Sequence, residues 1–243
     1  FLSNMSLKLD YLKALGSAGS LEIRESVGFC DEAGRHIYHP VGRNFLVEDL
    51  EGDQVSFIKQ DRAVAHYVAM TVSQTYLLAV SEKLKSSNHP QISIYDLKTY
   101  AHKRVKHFQY KDSKATEFVH LTFAQDGSFL ASVTEPPNST VVIWDWNHGK
   151  KIAENAVGTS VDKISFSLND NTTLCTSGAN HLKLWKLKEM TLKPLQHFDI
   201  SQNQVFTDHC WTDDDKLLVT TELGEIFIIQ NFMTRQYIDK AFE

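Results

Sequence analysis

The sequence predicts an all-β fold made of about five four-stranded β-propeller blades that form part of a larger, seven-bladed ring. Three observations predict it. The first is a recurring strand pattern. Gln91-Ile92-Ser93-Ile94-Tyr95-Asp96, Thr140-Val141-Val142-Ile143-Trp144-Asp145, His181-Leu182-Lys183-Leu184-Trp185-Lys186 and Glu225-Ile226-Phe227-Ile228-Ile229-Gln230 each alternate apolar with polar or branched residues. Each closes on a bulky side chain followed by a polar one. Their last residues lie 49, 41 and 44 positions apart, close to the roughly 40 to 45 residues of one blade. The second is a pair of strand-like runs, joined by a polar turn, ahead of each copy. In the clearest, Phe118–Phe123 and Ser128–Val133 flank Ala124-Gln125-Asp126-Gly127. Asp-Gly between alternating runs signals a hairpin, because glycine accepts the positive φ that a tight turn requires. Ile164–Ser167 and Thr173–Ser177 around Asn169-Asp170-Asn171 repeat the arrangement, as do the runs flanking Asp213-Asp214-Asp215. The third is a punctuation of short polar turns with no long 3.6-residue periodicity, so almost no helix is expected.

Taken in order, residues 1–20 supply an N-terminal strand, Leu7–Leu12, that could close the ring as an outer strand, and a flexible connection, Gly16–Ser20. Blades then fall at about 21–61, 64–110, 116–157, 161–200 and 204–243, with Asn44–Asp49 a degenerate first copy of the repeat. A blade has apolar faces that only neighbouring blades cover, so ring closure stabilises the architecture and removes most sheet edges. Trp144-Asp145 is a Trp-Asp dipeptide and marks the repeat as WD-type. Trp185 precedes Lys186 instead, and no Gly-His pair opens a repeat. An Asp-His hydrogen-bond network within the blades is therefore not expected, and apolar packing should dominate. Trp144 and Trp185 occupy equivalent repeat positions and read as packing residues between blades.

Composition narrows the function classes. The chain has 243 residues, 42% hydrophobic and 23% charged, which fits a folded globular protein and argues against disorder. A net charge of -5 with eleven histidines argues against nucleic acid as the main partner. No apolar run approaches the roughly 20 residues of a membrane span, and Phe1–Asp10 lacks the basic and apolar regions of a signal peptide. Cys30, Cys175 and Cys210 are odd in number and widely spaced, and read as reduced thiols filling the core.

No constellation of catalytic or ligand-binding residues stands out. His209 and Cys210 are adjacent, so strand alternation sends them to opposite faces; the expectation is Cys210 in the core and His209 on the surface. Cys30, His36 and His39 do not match zinc spacing. Asp213-Asp214-Asp215 lacks the alternating ligands and distant Glu of a calcium loop and reads as a solvated turn. Phosphate-binding glycine loops are absent, and no cofactor is expected. The innermost strands, around Ala69, Phe123, Phe166 and Cys210, read as apolar or small, which leaves a propeller hydrolase without its catalytic groups.

Candidate interaction residues lie elsewhere. Lys98, His102, Lys103, Arg104, Lys106, His107, Lys111 and Lys114 crowd the outer edge of the second blade. Edge lysines commonly prevent sheet-to-sheet aggregation; the functional reading is docking to an acidic protein surface. Glu135-Pro136-Pro137-Asn138-Ser139 forms a rigid loop between the second and third strands of its blade, at a rim where partners bind. Trp146 and Trp211 break the repeat equivalence and are surface candidates. The interaction surface expected from these residues comprises Lys103, Arg104, Lys106, Pro136, Pro137 and Trp146.

Ser165-Phe166-Ser167 with Asp170-Asn171-Thr172, Ile92–Leu97 and Thr134-Glu135-Pro136-Pro137-Asn138-Ser139 resemble the N-terminal propeller of the cilia- and flagella-associated protein fifty-seven family, across about Phe29 to Gln230. Families forty-three and forty-four of that series share weaker versions. The resemblance implies a non-enzymatic axonemal scaffold near the inner dynein arms and doublet-microtubule complexes, without nucleic acid or membrane partners. It implies two tandem propellers followed by a coiled coil through which the full-length protein could dimerise; no heptad tract occurs here. The other reading is a generic soluble WD-repeat adaptor, such as a substrate-presenting subunit of a ubiquitin ligase.

Overall fold

In a computed structural model the described residues are 27–41, 44–52, 55–58, 61–98, 103–195, 198, 203–231 and 233–238. The expected N-terminal strand, its linker and His102 lie outside them. Twenty strands and no helix occur among the described residues. They form five four-stranded sheets, each antiparallel and ordered as the chain runs. The first holds β1 (Gly28–Phe29), β2 (His36–Val41), β3 (Asn44–Asp49) and β4 (Val55–Ile58). The second holds β5 (Val64–Val72), β6 (Leu77–Leu84), β7 (Gln91–Asp96) and β8 (Arg104–Gln109). The third holds β9 (Phe118–Phe123), β10 (Leu130–Thr134), β11 (Thr140–Asp145) and β12 (Lys150–Ala156). The fourth holds β13 (Lys163–Phe166), β14 (Thr173–Gly178), β15 (His181–Lys188) and β16 (Thr191–Pro194). The fifth holds β17 (Phe206–Trp211), β18 (Leu217–Thr221), β19 (Ile226–Gln230) and β20 (Met233–Ile238). The turns follow the sequence chemistry: Gly127 has φ 72°, and Asp215 takes the left-handed conformation at φ 60°.

Side chains from neighbouring sheets interlock in four apolar clusters. Phe45, Val47, Tyr67, Leu78 and Tyr95 join the first sheet to the second. Ile92, Phe108, Phe118, Leu130 and Trp144 join the second to the third. Ile143, Val161, Phe166, Leu174 and Trp185 join the third to the fourth, and Cys175, Leu184, Phe206, Leu217 and Phe227 join the fourth to the fifth. The register repeats along the series. Tyr95, Trp144 and Trp185 stand opposite Leu78, Leu130 and Leu174, and all three leucines are fully buried. An aromatic opposite a leucine is thus the recurring packing unit of these three sheets.

Polar bonds inside the sheets are richer than the sequence suggests. Each of the same three aromatics donates to a polar group of the adjoining strand. Tyr95 OH reaches Glu82 Oε1 at 3.1 Å, Trp144 Nε1 reaches Ser132 Oγ at 2.9 Å, and Trp185 Nε1 reaches Thr176 Oγ1 at 2.8 Å. Thr176 Oγ1 in turn lies 2.7 Å from His181 Nε2. Glu82 is wholly buried yet also accepts from Gln91 Nε2 at 2.7 Å and Ser93 Oγ at 2.6 Å, so its carboxylate is satisfied without water. Ser, Thr and Glu acceptors thus add polar bonds inside the sheets to the apolar packing that the sequence predicts.

The placement of His209 and Cys210 is also the reverse of that expected. His209 is buried and Cys210 exposed. A register shift between Phe206 and Asp208 inserts one residue into β17. Because side chains alternate with a period of two, the bulge turns every later residue to the other face. His209 bridges two sheets, with Nε2 2.8 Å from Ser165 Oγ and Nδ1 2.7 Å from Ser177 Oγ. Burial, reinforced by Lys163, lowers its pKa to about 3, so it is neutral at physiological pH.

Candidate protein-interaction surface

In an antiparallel four-stranded sheet, the turns after the first and third strands lie at one end and the turn after the second strand lies at the other. Two rims result. Lys98 and Lys103, Asp126-Gly127 and Trp146 belong to the first rim; Glu135 to Ser139 belong to the second. The six residues expected to form one surface therefore divide. Arg104 and Lys106 lie on β8, the outermost strand of the second sheet, and Lys103 immediately precedes it. Lys106 Cε approaches Gly149, within 3.5 Å of where a Cβ would stand, so the basic edge adjoins the turn that follows Trp146. Pro136 and Pro137 are exposed on the opposite rim. Their loop is pinned by Glu135, whose carboxylate accepts from Thr116 N at 2.8 Å and Glu117 N at 3.1 Å.

Trp146 is half-buried: its indole meets Phe123 edge-on at 6.1 Å and donates to Gly127 O at 2.7 Å. Trp211 donates to Ser165 Oγ at 3.1 Å and is likewise half-buried. Both indoles have internal partners, leaving the basic strand and the proline loop as the solvent-facing candidates. Arg104 pairs with Asp61 at 3.3 Å, while Lys103 and His107 are exposed beside it.

Two concave regions were missed by sequence reasoning. A cavity of about 530 Å³ between the first two sheets is lined by Cys30, Asp31, His36, Asp49, Tyr76 and Leu97, among others. Arg35 grips Asp49 with two hydrogen bonds of 2.8 Å and holds its carboxyl well below the usual range. Asp31 Oδ2 lies 2.7 Å from His36 Nδ1. Burial and Asp31 push the Cys30 thiol up to about 11, so it stays protonated. No group of three or more His, Cys, Asp or Glu among the described residues could hold a metal ion.

The second cavity, of about 240 Å³, lies between the first strands of the second to fifth sheets. Its lining includes Met70, His120, Asp162, Lys163, Thr207 and Asp208. This wall is more polar than expected, in part because the bulge of β17 turns Thr207 and Asp208 outward from the packed seam. Burial opposes ionisation of Asp208, but the Lys163 ammonium at 2.6 Å outweighs it and keeps the carboxyl low. Ser165 and His209 form a Ser-His contact, yet a hydroxyl rather than a carboxylate orients the imidazole, and Trp211 donates to the serine. That geometry suits a tether between sheets rather than an activated nucleophile.

No family model matches the chain. Among solved structures, a chain of the mitotic checkpoint complex superposes on 98% of this chain and 76% of its own length, with a TM-score of 0.64 at 14% identity. The β-propeller domain of Cps50 (Swd1) from Myceliophteria thermophila matches 75% of this chain and 56% of its own length, with a TM-score of 0.59 at 14% identity. In sequence, cilia- and flagella-associated protein 57 of Mus musculus is 25% identical over 213 residues, 86% of this chain.

The chain is a WD-type propeller unit similar to ciliary WD-repeat proteins. Cilia- and flagella-associated protein 44 of Mus musculus is 30% identical over 115 residues, 47% of the chain. WD repeat-containing protein 70 of Bos taurus is 30% identical over 104 residues, 41% of the chain. The chain spans only 17%, 6% and 16% of these relatives. The propeller unit therefore corresponds to a small part of each. No helix among the described residues is long and apolar enough to cross a membrane.

Proposed function

We propose that this propeller is a non-enzymatic scaffold of the ciliary or flagellar axoneme that docks or regulates inner dynein arms and thereby shapes motility. The observation behind the reading is similarity to a cilia- and flagella-associated protein along 86% of the chain, joined to a fold that presents rigid loops and edges to partners. Fold alone would not support it. The partners on this reading are inner-arm and doublet-microtubule complexes, with dimerisation supplied by a coiled coil elsewhere in the full-length protein. Proximity labelling from the tagged full-length protein in motile cilia tests it. Enrichment of inner-arm subunits over outer-arm subunits is the expected result; equal labelling of both, or of neither, contradicts it.

A second reading is a soluble WD-repeat adaptor such as a ubiquitin-ligase subunit; similarity to a WD repeat-containing protein with no ciliary name, over 41% of the chain, keeps it open. It predicts cullin-complex subunits in the same labelling experiment, from a cytoplasmic pool.

A further inference from the structure

From Lys103 to Lys111 the chain reads Lys-Arg-Val-Lys-His-Phe-Gln-Tyr-Lys, with no carboxylate. Most of this run is β8, and no described strand lies beyond it. Several lysines elsewhere are matched: Lys83 meets Glu117, Lys163 meets Asp208, Lys186 meets Asp170 and Lys216 meets Asp214. On this edge only Arg104 has a carboxylate partner among the described residues, and Lys103, Lys106 and Lys111 have none. Past Asp112, which pairs with Lys151, positive charge recurs at Lys114 in the next turn and at exposed Lys150, beside Gly149, on the third sheet. A protein of net charge -5 thus concentrates a positive line on one strand edge.

Three of the other outer strands differ. β4 carries no charge, β16 carries Lys193 alone, and Lys151 of β12 is neutralised by Asp112 at 3.3 Å and Glu154 at 3.1 Å. Guarding an edge against aggregation explains a lysine or two. Val105, the residue bulged out between Arg104 and Lys106, stands 50% exposed between the charges and offers an apolar contact there. A sheet edge has unpaired backbone donors and acceptors, and a peptide that adds as a strand gains main-chain hydrogen bonds while its alternate side chains supply specificity.

We propose that β8 receives an acidic, extended segment of a partner protein. The segment adds to the second sheet as a fifth strand, sets carboxylates against Lys103 and Lys106, which the bulge at Val105 brings to one face, and places apolar side chains on the other face beside Val105. This goes beyond the scaffold reading and does not depend on a ciliary location.

The test is fluorescence anisotropy of the full-length protein with a fluorescein-labelled dodecapeptide of alternating Glu and Val. Saturable binding that weakens with salt is expected. Lys103→Glu with Lys106→Glu should weaken it about tenfold or more, whereas Lys188→Glu with Lys193→Glu on the fourth sheet should not change it. If the double Glu variant misfolds by circular dichroism, Lys103→Gln with Lys106→Gln takes its place. N-methylation of alternate peptide amides should abolish binding, since it removes the backbone donors. Equal affinity for the β8 variant, or for the N-methylated peptide, overturns the proposal. So does tighter binding of duplex RNA or phosphatidylserine vesicles than of the peptide. A β8 variant that aggregates while its soluble fraction binds normally would show that the lysines only guard the edge.

Discussion

His209 sits where chain alternation alone would place a cysteine, and its neutrality makes stability depend on pH. Folded, its pKa is about 3 because burial and Lys163 oppose the charge; unfolded, it returns to about 6.5. Between those values the unfolded chain binds a proton that the folded chain does not, so the contribution is complete above about pH 6.5 and is lost as pH falls. His181, lowered to about 4 by burial and Lys183, acts in the same direction. The melting temperature should therefore decline from pH 6.5 to 4.5. His209→Gln should be less stable at pH 7.5, by roughly 1–3 kcal/mol for hydroxyls left poorly matched, yet its melting temperature should decline less steeply with acid. A variant with the wild-type slope would exclude His209 as the titrating group. The sequence hid this residue because a single inserted position in β17 is invisible to a period-two reading, whereas Trp144 and Trp185 were legible as packing residues through their repeat spacing.

At the scale of the element, hairpins were the most legible features, since Asp126-Gly127 and Asp213–Asp215 combine turn chemistry with flanking alternation. The aromatic-to-hydroxyl bonds were not legible, because Ser132 and Thr176 look like ordinary strand residues until the register pairs them with Trp144 and Trp185. Gly178 shows how closely the elements approach. A Cβ there would stand 2.9 Å from Ser160 O and 3.2 Å from Asp162 N, both backbone atoms. Gly178→Ala should thus force β14 away from the segment entering β13 and cost about 1–3 kcal/mol by the measure of overpacked interiors. A urea midpoint unchanged from wild type would contradict that. The candidate surface was legible only in part. Charge singled out β8 in the sequence, but strand direction put Pro136 and Pro137 on the opposite rim, and internal hydrogen bonds draw Trp146 inward.

For the molecule as a whole, five sheets share four apolar seams, each between chain neighbours, and among the described residues no cluster joins the fifth sheet to the first. Among the described residues, seven of the nine large apolar side chains that remain exposed, Val27, Phe29, Leu50, Leu223, Met233, Tyr237 and Ile238, belong to those two end sheets or their turns. Uncovered apolar surface of this kind drives association. These residues by themselves should form concentration-dependent oligomers in light scattering, and Leu223→Lys with Ile238→Lys should reduce them. A monomer that melts cooperatively would instead support a closed five-bladed ring over the larger, seven-bladed one. The ciliary role rests on similarity rather than on any catalytic geometry, so it is tested most directly in the organelle. Cilia isolated from cells with tagged full-length protein should be extracted with detergent and then with salt. Retention on the washed axoneme is the predicted result; complete release into the soluble fraction would contradict the scaffold account.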